Sequence, residues 1–401
     1  MTGKMFVFES GNVAAATGVK LARVQVIAAY PITPQTPLTE KLSEYVGSGA
    51  FDAEYVAVES EHSALAVCIG ASSTSARAFT ATSANGLLYM SEQVHWAAGA
   101  RLPMVMCVVN RGIGAPFSVW NDHQDSISQR DAGWIQIYVK DHQEILDTVI
   151  KAYRLSEEVC IPVMVCYDGY YLSHTYVPYD VPAQREVDAF LPPYTYRHAL
   201  GPEKPTSLNT VTLPGGRMDV NGEFAPGYME LRQCLHVEMK QAIDVYTRID
   251  GEFAEIVGRG GNPIADRYLC DDAEYVAVAL GSMARQMKDV VKRLRTEGMR
   301  VGVLALSLYR PFPSEFIASE LAGRKGVIVF EKALSFGHSG ALCGDLQAAL
   351  YPCPARPVVW NYILGLGGRS YKTADFYDAI RQSVQRGDTS VDNPGWIGLN
   401  R

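Results

Sequence analysis

The chain has 401 residues, 48% of them hydrophobic, and a formal net charge of −7. That length predicts two or three domains, and the charge excludes a nucleic-acid partner, which needs clustered Lys and Arg. No apolar run of about 18 residues exists to span a membrane, and the apolar stretch behind Met1 is too short for a secretory signal, so a cytoplasmic protein is expected.

In chain order, Gly11–Ala22 reads as a helix of small residues, Val24–Ala29 as an apolar strand and Thr36–Tyr45 as a helix. Tyr55–Val58 is a strand, Ser63–Ser72 a helix, Ala76–Ala81 a strand, Leu87–Ala98 a helix and Met104–Val109 a strand. A helix over Glu144–Glu157 leads to a strand over Pro162–Cys166. Strands apolar on both faces, alternating with helices, predict a doubly wound parallel α/β sheet. Proline-rich Pro178–Gly216 reads as a surface connection, and apolar residues at helical spacing predict one long helix over Tyr228–Val257. A second α/β unit follows, with strands at Tyr275–Leu280, Val301–Leu306, Val327–Phe330 and Val358–Ile363. Its helices are Met283–Thr296, Glu315–Leu321, Gly340–Leu350 and Thr373–Arg386. The expected organisation is a first domain over residues 1–190, a connecting segment with the long helix over 191–270 and a second domain over 271–401.

Ligands of such sheets gather at the carboxyl ends of strands, and three chemically able residues fall there. In Tyr30-Pro31-Ile32-Thr33-Pro34, two prolines fix the backbone around the Thr33 hydroxyl. That suits recognition of a carboxylate or carbonyl oxygen; an ordinary turn with local backbone bonding is equally compatible. Glu61 opens an apolar helix behind Ser60, a candidate N-cap. The helix dipole favours its carboxylate and burial opposes it, which leaves it poised to share a proton with a ring nitrogen. Neighbouring Glu59 reads as a solvated strand end. Arg111 ends a buried-looking strand, placed either to clamp a carboxylate or to pair with Asp122 or Asp125.

Other signals are weaker. The loop Trp120–Asp125 has metal-ligand residue types but no distinguishing spacing, so no metal is assigned to this chain. Gly365-Leu366-Gly367-Gly368 lacks the dinucleotide fingerprint, which disfavours a nicotinamide-dependent dehydrogenase. None of the eight cysteines forms a Cys-x-x-Cys pair, so they read as free thiols and not as cluster ligands.

Taken in order, these motifs are similar to those of the α subunit of 2-oxoacid:ferredoxin oxidoreductases, above all that of multi-subunit pyruvate:ferredoxin oxidoreductase (pyruvate synthase). The resemblance runs through Ala29–Pro34, Val58–Ala64, Phe79–Ser83, Trp120–Asp122, Ser128–Trp134, Tyr309–Pro313, Gly365–Arg369 and Trp396–Leu399. It implies a pyrimidine-type thiamine diphosphate domain followed by a domain like the C-terminal domain of transketolase. It also implies CoA-dependent oxidative decarboxylation of a 2-oxoacid, pyruvate first, or the reverse reaction. By resemblance Glu61 bonds the aminopyrimidine and promotes its imino tautomer, while Thr33 and Arg111 hold the substrate's carboxylate and keto group. Pro31 and Asn85 lie beside the cofactor, Asn85 where Gln is commoner in relatives. Gly112 and Gly114 stand where relatives carry larger residues, and imply room for a branched or aromatic acid such as phenylglyoxylate.

The chain contains no Gly-Asp-Gly diphosphate motif and no cluster cysteines. Mg²⁺ and the iron–sulfur clusters are therefore expected on partner subunits: a diphosphate-binding β subunit, a γ subunit and a ferredoxin-like δ subunit, with ferredoxin or another acceptor beyond. The alternative from another class is a non-catalytic assembly subunit, which would have no need of Thr33, Glu61 and Arg111 together.

Overall fold

The apolar strands are buried along their length because helices cover the sheet they form. The computed structural model describes residues 5–198, 214–218, 222, 224–387 and 394–400. A seven-stranded sheet runs in the spatial order Glu54–Ala57, Val26–Ala29, Ala78–Thr82, Val105–Asn110, Val163–Asp168, Ile135–Tyr138, Leu308–Arg310. All neighbours pair in parallel except the last, which is antiparallel. From Val26–Ala29 the chain steps outward to Glu54–Ala57 and then returns to Ala78–Thr82 on the other side. This reversal opens a crevice at the carboxyl ends of these strands, where such sheets bind ligands.

Small residues set the closest packing. Helix Gly11–Leu21 buries Ala14, Ala15, Ala16 and Gly18 and packs on helix His142–Val159. A Cβ on Gly18 would lie 3.0 Å from Val149, so the approach is closer than most side chains allow. The long helix Tyr228–Val257 packs across His142–Val159 through buried Tyr246, Ile249 and Phe253. Lys151 is buried against it, 2.7 Å from Asp250.

A second, six-stranded sheet has the order Ala265–Tyr268, Val301–Leu306, Tyr275–Leu280, Gly326–Glu331, Val358–Ile363, Gly395–Trp396. Its first strand is antiparallel and the rest parallel. Among the described residues no helix is long and apolar enough to cross a membrane.

Four features differ from the sequence reading. The single helix expected over Leu87–Ala98 is two, Ala84–Tyr89 and Ser91–Gly99, separated at Met90. Strand Ile135–Tyr138 went unread because its buried Gln136 interrupts the apolar run. Met5–Ser10 pairs antiparallel with Tyr176–Val181, so the expected connection begins as a strand, with Pro178 opposite Phe8. Helix Gln184–Phe190 follows, and residues 199–213 of that connection lie outside the described residues. Finally, Leu308–Arg310 from the second α/β unit completes the first sheet.

Candidate active site

The turn after Val26–Ala29 is held from beneath by two buried amides. Gln35 donates from Nε2 to the Ala81 carbonyl at 2.9 Å and accepts at Oε1 from the Ile32 N–H at 3.3 Å. Asn12 donates to the Pro34 carbonyl at 2.9 Å and accepts from the Tyr167 hydroxyl at 2.9 Å. Buried amides rigidify a backbone because every lost bond leaves a dry polar group. Pro31 and Thr33 are exposed on the upper side of this turn, and among the described residues nothing hydrogen-bonds the Thr33 hydroxyl.

Glu61 is the first residue of helix Glu61–Ser73, behind the N-cap Ser60, whose side chain accepts from the Ser63 N–H. It is 8% exposed, yet no described group hydrogen-bonds its carboxylate. The carboxylate lies against Gly86, where a Cβ would fall 2.5 Å from Glu61 Oε1 and 2.6 Å from Thr82 Oγ1. The hydroxyls of Thr82 and Ser83 are also buried without partners. Glu59 instead bonds Ser63 and Ser60 at the open strand end, and the Ser63 hydroxyl lowers its carboxyl. His62 meets Gln93 at 3.1 Å.

Arg111 is buried, and its guanidinium bonds two carbonyls: Nη1 to Thr33 at 2.7 Å and Nε to Ser118 at 2.9 Å. It forms no ion pair with Asp122 or Asp125 among the described residues, so the structural-pair alternative does not describe this side chain. Burial lowers the Arg111 pKa, opposed by the charges of Asp125, Tyr170 and Glu61. The Phe117 ring stacks 5.2 Å from the guanidinium.

The structure thus joins Thr33 to Arg111 directly and Asn85 to Gly114. The Asn85 amide bonds both backbone groups of Gly114, Nδ2 to the carbonyl at 3.3 Å and Oδ1 to the N–H at 2.9 Å. A notional Cβ on Gly114 would make ordinary contacts, 3.6 Å from both Asn85 Oδ1 and the Phe117 Cα. Gly112 is tighter: its Cβ would point at Asp122 and Ser118, at 3.1 and 3.3 Å. Its N–H bonds the Trp120 carbonyl at 2.9 Å.

Sequence reasoning missed the supports of this site. Asp122 accepts from the Gly367 N–H at 2.9 Å, and the Gly368 N–H donates to the Asn121 carbonyl at 2.7 Å. The arginine loop is thereby docked on the glycine loop of the second sheet. Asp168, fully buried, meets His123 Nε2 at 2.6 Å, Asn121 Nδ2 at 3.0 Å and Lys332 Nζ at 3.2 Å, and accepts from the Ser282 hydroxyl. Burial would raise its carboxyl, but Lys332, His123 and Ser282 together hold it far below the usual range. The only sequence signal was polar residues inside apolar runs, as at Asn12 and Asp168.

An unpartnered acceptor carboxylate, orphan hydroxyls and a glycine-lined approach fit the polar edge of an aminopyrimidine. Gly86→Ala should therefore displace Glu61 and weaken thiamine diphosphate binding by more than about tenfold, since one disturbed pocket contact is worth about 1–3 kcal/mol. Titration of the assembled complex with the cofactor checks this; unchanged affinity would place the cofactor elsewhere.

Comparison with known proteins identifies the family. The family model "Pyruvate flavodoxin/ferredoxin oxidoreductase, thiamine diP-binding" matches residues 17–240, and "Pyruvate:ferredoxin oxidoreductase core domain II" matches 273–376. The chain is 44% identical to pyruvate synthase subunit PorA of Methanocaldococcus jannaschii, covering 97% of each. It is also 44% identical to ketoisovalerate oxidoreductase subunit VorA of Pyrococcus abyssi, over 94% of this chain and 93% of that one. Among solved structures, the 2-oxoglutarate:ferredoxin oxidoreductase of Magnetococcus marinus superposes with a TM-score of 0.69 at 20% identity, over 95% of this chain and 65% of that one. A split-gene transketolase, an inactive β4 tetramer, gives 0.53 at 14% identity, over 94% and 99%. Those two likenesses show the fold, α/β domains built on parallel sheets. The chain belongs to the pyruvate:ferredoxin oxidoreductase family, as the thiamine-diphosphate-binding α subunit of a 2-oxoacid:ferredoxin oxidoreductase.

Proposed function

We propose that this chain supplies the acid–base and substrate-holding half of a shared site for the reaction 2-oxoacid + CoA + 2 oxidised ferredoxin ⇌ acyl-CoA + CO₂ + 2 reduced ferredoxin + H⁺. The observation that carries this reading is a buried Glu61 and an Arg111 that have, among the described residues, no hydrogen-bond partner and no carboxylate partner respectively, on the two sides of the sheet's reversal point. When bound, thiamine diphosphate supplies the nucleophilic carbon and the electron sink of the decarboxylation. Glu61 would share a proton with the ring nitrogen of the aminopyrimidine, donating it from the carboxylic acid and accepting the resulting N–H as a carboxylate. Arg111 has Nη2 left over from its two carbonyl bonds, and directs it with the Thr33 hydroxyl to the substrate's carboxylate and keto oxygens. Asn85 fixes the Gly114 backbone that borders the acyl group. The diphosphate, its Mg²⁺ and the iron–sulfur clusters belong to the β, γ and ferredoxin-like δ partners, because this sequence has no motif for them. A cytoplasmic location is part of the proposal, supported by eight unpaired cysteines.

Pyruvate is the first-choice substrate. Equal identity to a pyruvate and a ketoisovalerate subunit leaves the acyl pocket to decide, and the missing side chain at Gly114, where a Cβ would meet only ordinary contacts, supports a branched acid as the second reading. The test is CoA-dependent dye reduction by the anoxic native complex, with kcat/KM compared across pyruvate, 2-oxoglutarate, 2-oxoisovalerate and phenylglyoxylate. One methylene in an apolar pocket is worth about 10–200-fold, so pyruvate should lead 2-oxoisovalerate by at least about tenfold. A reversed order that Gly114→Leu abolishes would establish the branched-acid reading. Activity with none of the four would overturn the proposal.

A further inference from the structure

Asp125 is wholly buried, and all four of its carboxylate bonds come from nitrogen donors. Oδ2 accepts from the Ala84 N–H at 2.9 Å and the Arg111 N–H at 3.0 Å. Oδ1 accepts from Asn110 Nδ2 at 2.8 Å and from the Ser126 N–H at 2.8 Å. No Lys, Arg or His side chain among the described residues pairs with it.

The two Oδ2 donors belong to opposite walls of the site. Arg111 carries the guanidinium proposed for the substrate. Ala84 begins the short helix Ala84–Tyr89, which presents Asn85 to Gly114 and Gly86 to Glu61. Ala84 has a left-handed backbone, φ +44°, which costs an alanine of order 1 kcal/mol and needs an outside tie to hold it. A single oxygen atom therefore sets the spacing between the Glu61 wall and the Arg111 wall.

We propose that Asp125 is the positioning residue that holds the proton-handling and substrate-binding walls of this site in register, by receiving the backbone N–H groups of Ala84 and Arg111 on one carboxylate oxygen. The inference rests on the function proposed above. A neutral amide cannot replace the carboxylate, because each oxygen faces two donors and an Nδ2 on either side would oppose two N–H groups. Burial raises the Asp125 carboxyl to about 6, partly offset by Asn110 and the Ala84 and Arg111 N–H groups. The other groups facing it are Asp122 on the arginine loop, Tyr138 and Cys166 on the adjoining strands, and the Arg111 charge. Protonation puts an O–H where an acceptor is required, so the walls loosen as pH falls through about 6.

The test uses the assembled complex with Asp125→Asn and, as a milder change that removes one Oδ1 donor together with the Asn110 bond to the Ser126 hydroxyl, Asn110→Ala. The expected KM for the 2-oxoacid rises about 10–100-fold in Asp125→Asn, the usual cost of losing a supporting residue behind a ligand-binding group. Asn110→Ala should raise it less, and kcat should fall less than KM rises in both. The acid limb of kcat/KM near pH 6 should disappear in Asp125→Asn. Hydrogen exchange, read by mass spectrometry on peptides covering residues 83–90 and 110–118, should quicken in both peptides together. Faster exchange in one peptide alone, or an unchanged KM and acid limb, would overturn the proposal. A wild-type complex inactive on every 2-oxoacid would sink the functional reading instead, while the exchange result would still judge Asp125.

Discussion

Glu61→Gln should lower kcat of the assembled complex about 10²–10⁴-fold, the range for removing a positioned proton-transfer group. The expectation rests on what the carboxylate lacks. A carboxylate at a helix start, 8% exposed and bonded to nothing described, contributes little to holding the subunit together. Gln keeps the shape but not the charge or the proton affinity, so it should pass the folding test and fail the chemical one. The thermal midpoint of the cofactor-free subunit should stay within the small range typical of substitutions that break no bond. Dye reduction by the complex and a melting curve of the subunit check both halves. Activity within about threefold of wild type would make Glu61 a helix-start residue and nothing more.

How much of this was legible beforehand depends on distance along the chain. Strands such as Val105–Asn110 and Val163–Asp168 are buried on both faces, so an unbroken apolar run marked each to within a residue or two. Strand ends then indicated Thr33, Glu61 and Arg111, because a parallel sheet leaves its carboxyl ends open to ligand. The supports were not legible, since each spans a long sequence gap. Gln35 reaches Ala81, Asn12 reaches Pro34, and Asp168 reaches Lys332. Gly112 and Gly114 looked alike as letters, yet a Cβ would crowd Asp122 and Ser118 at the first and make only ordinary contacts at the second. A glycine lacks a side chain for two different reasons, and only its surroundings tell which one applies. The break at Met90 likewise carries no local signal, since neither glycine nor proline stands beside it.

Lys332→Met should destabilise the chain more than any other single change considered, by about 3–5 kcal/mol, the cost of stripping the partner from a buried charge. Lys332 is completely buried, 3.2 Å from Asp168 and 2.9 Å from Asn121. Burial pushes its ammonium down, and Asp168 and Tyr371 more than restore it. At about 2.1 cal/mol/K per residue, 401 residues give an unfolding entropy near 0.8 kcal/mol/K, so the midpoint should drop by about 4–6 °C. Linkage fixes the pH window. The Asp168 carboxyl is held below its unfolded value near 3.9, so its contribution is present above that value and lost only as pH falls below it. The Lys332 ammonium is raised, so its share is present below about 10.4 and is lost as pH rises beyond that. The deficit of Lys332→Met should therefore be equal at pH 5 and pH 8 and shrink only in strong acid or strong base. Lys332→Met combined with Asp168→Asn should recover part of it, because the two share one contact and their effects do not add. Denaturant melts of the full chain at both pH values measure this. A deficit under about 1 kcal/mol, or one that changes between pH 5 and 8, would show that His123, Asn121 and Ser282 alone neutralise Asp168. The joint between the two sheets, and with it the seat of the arginine loop, would then not depend on the lysine.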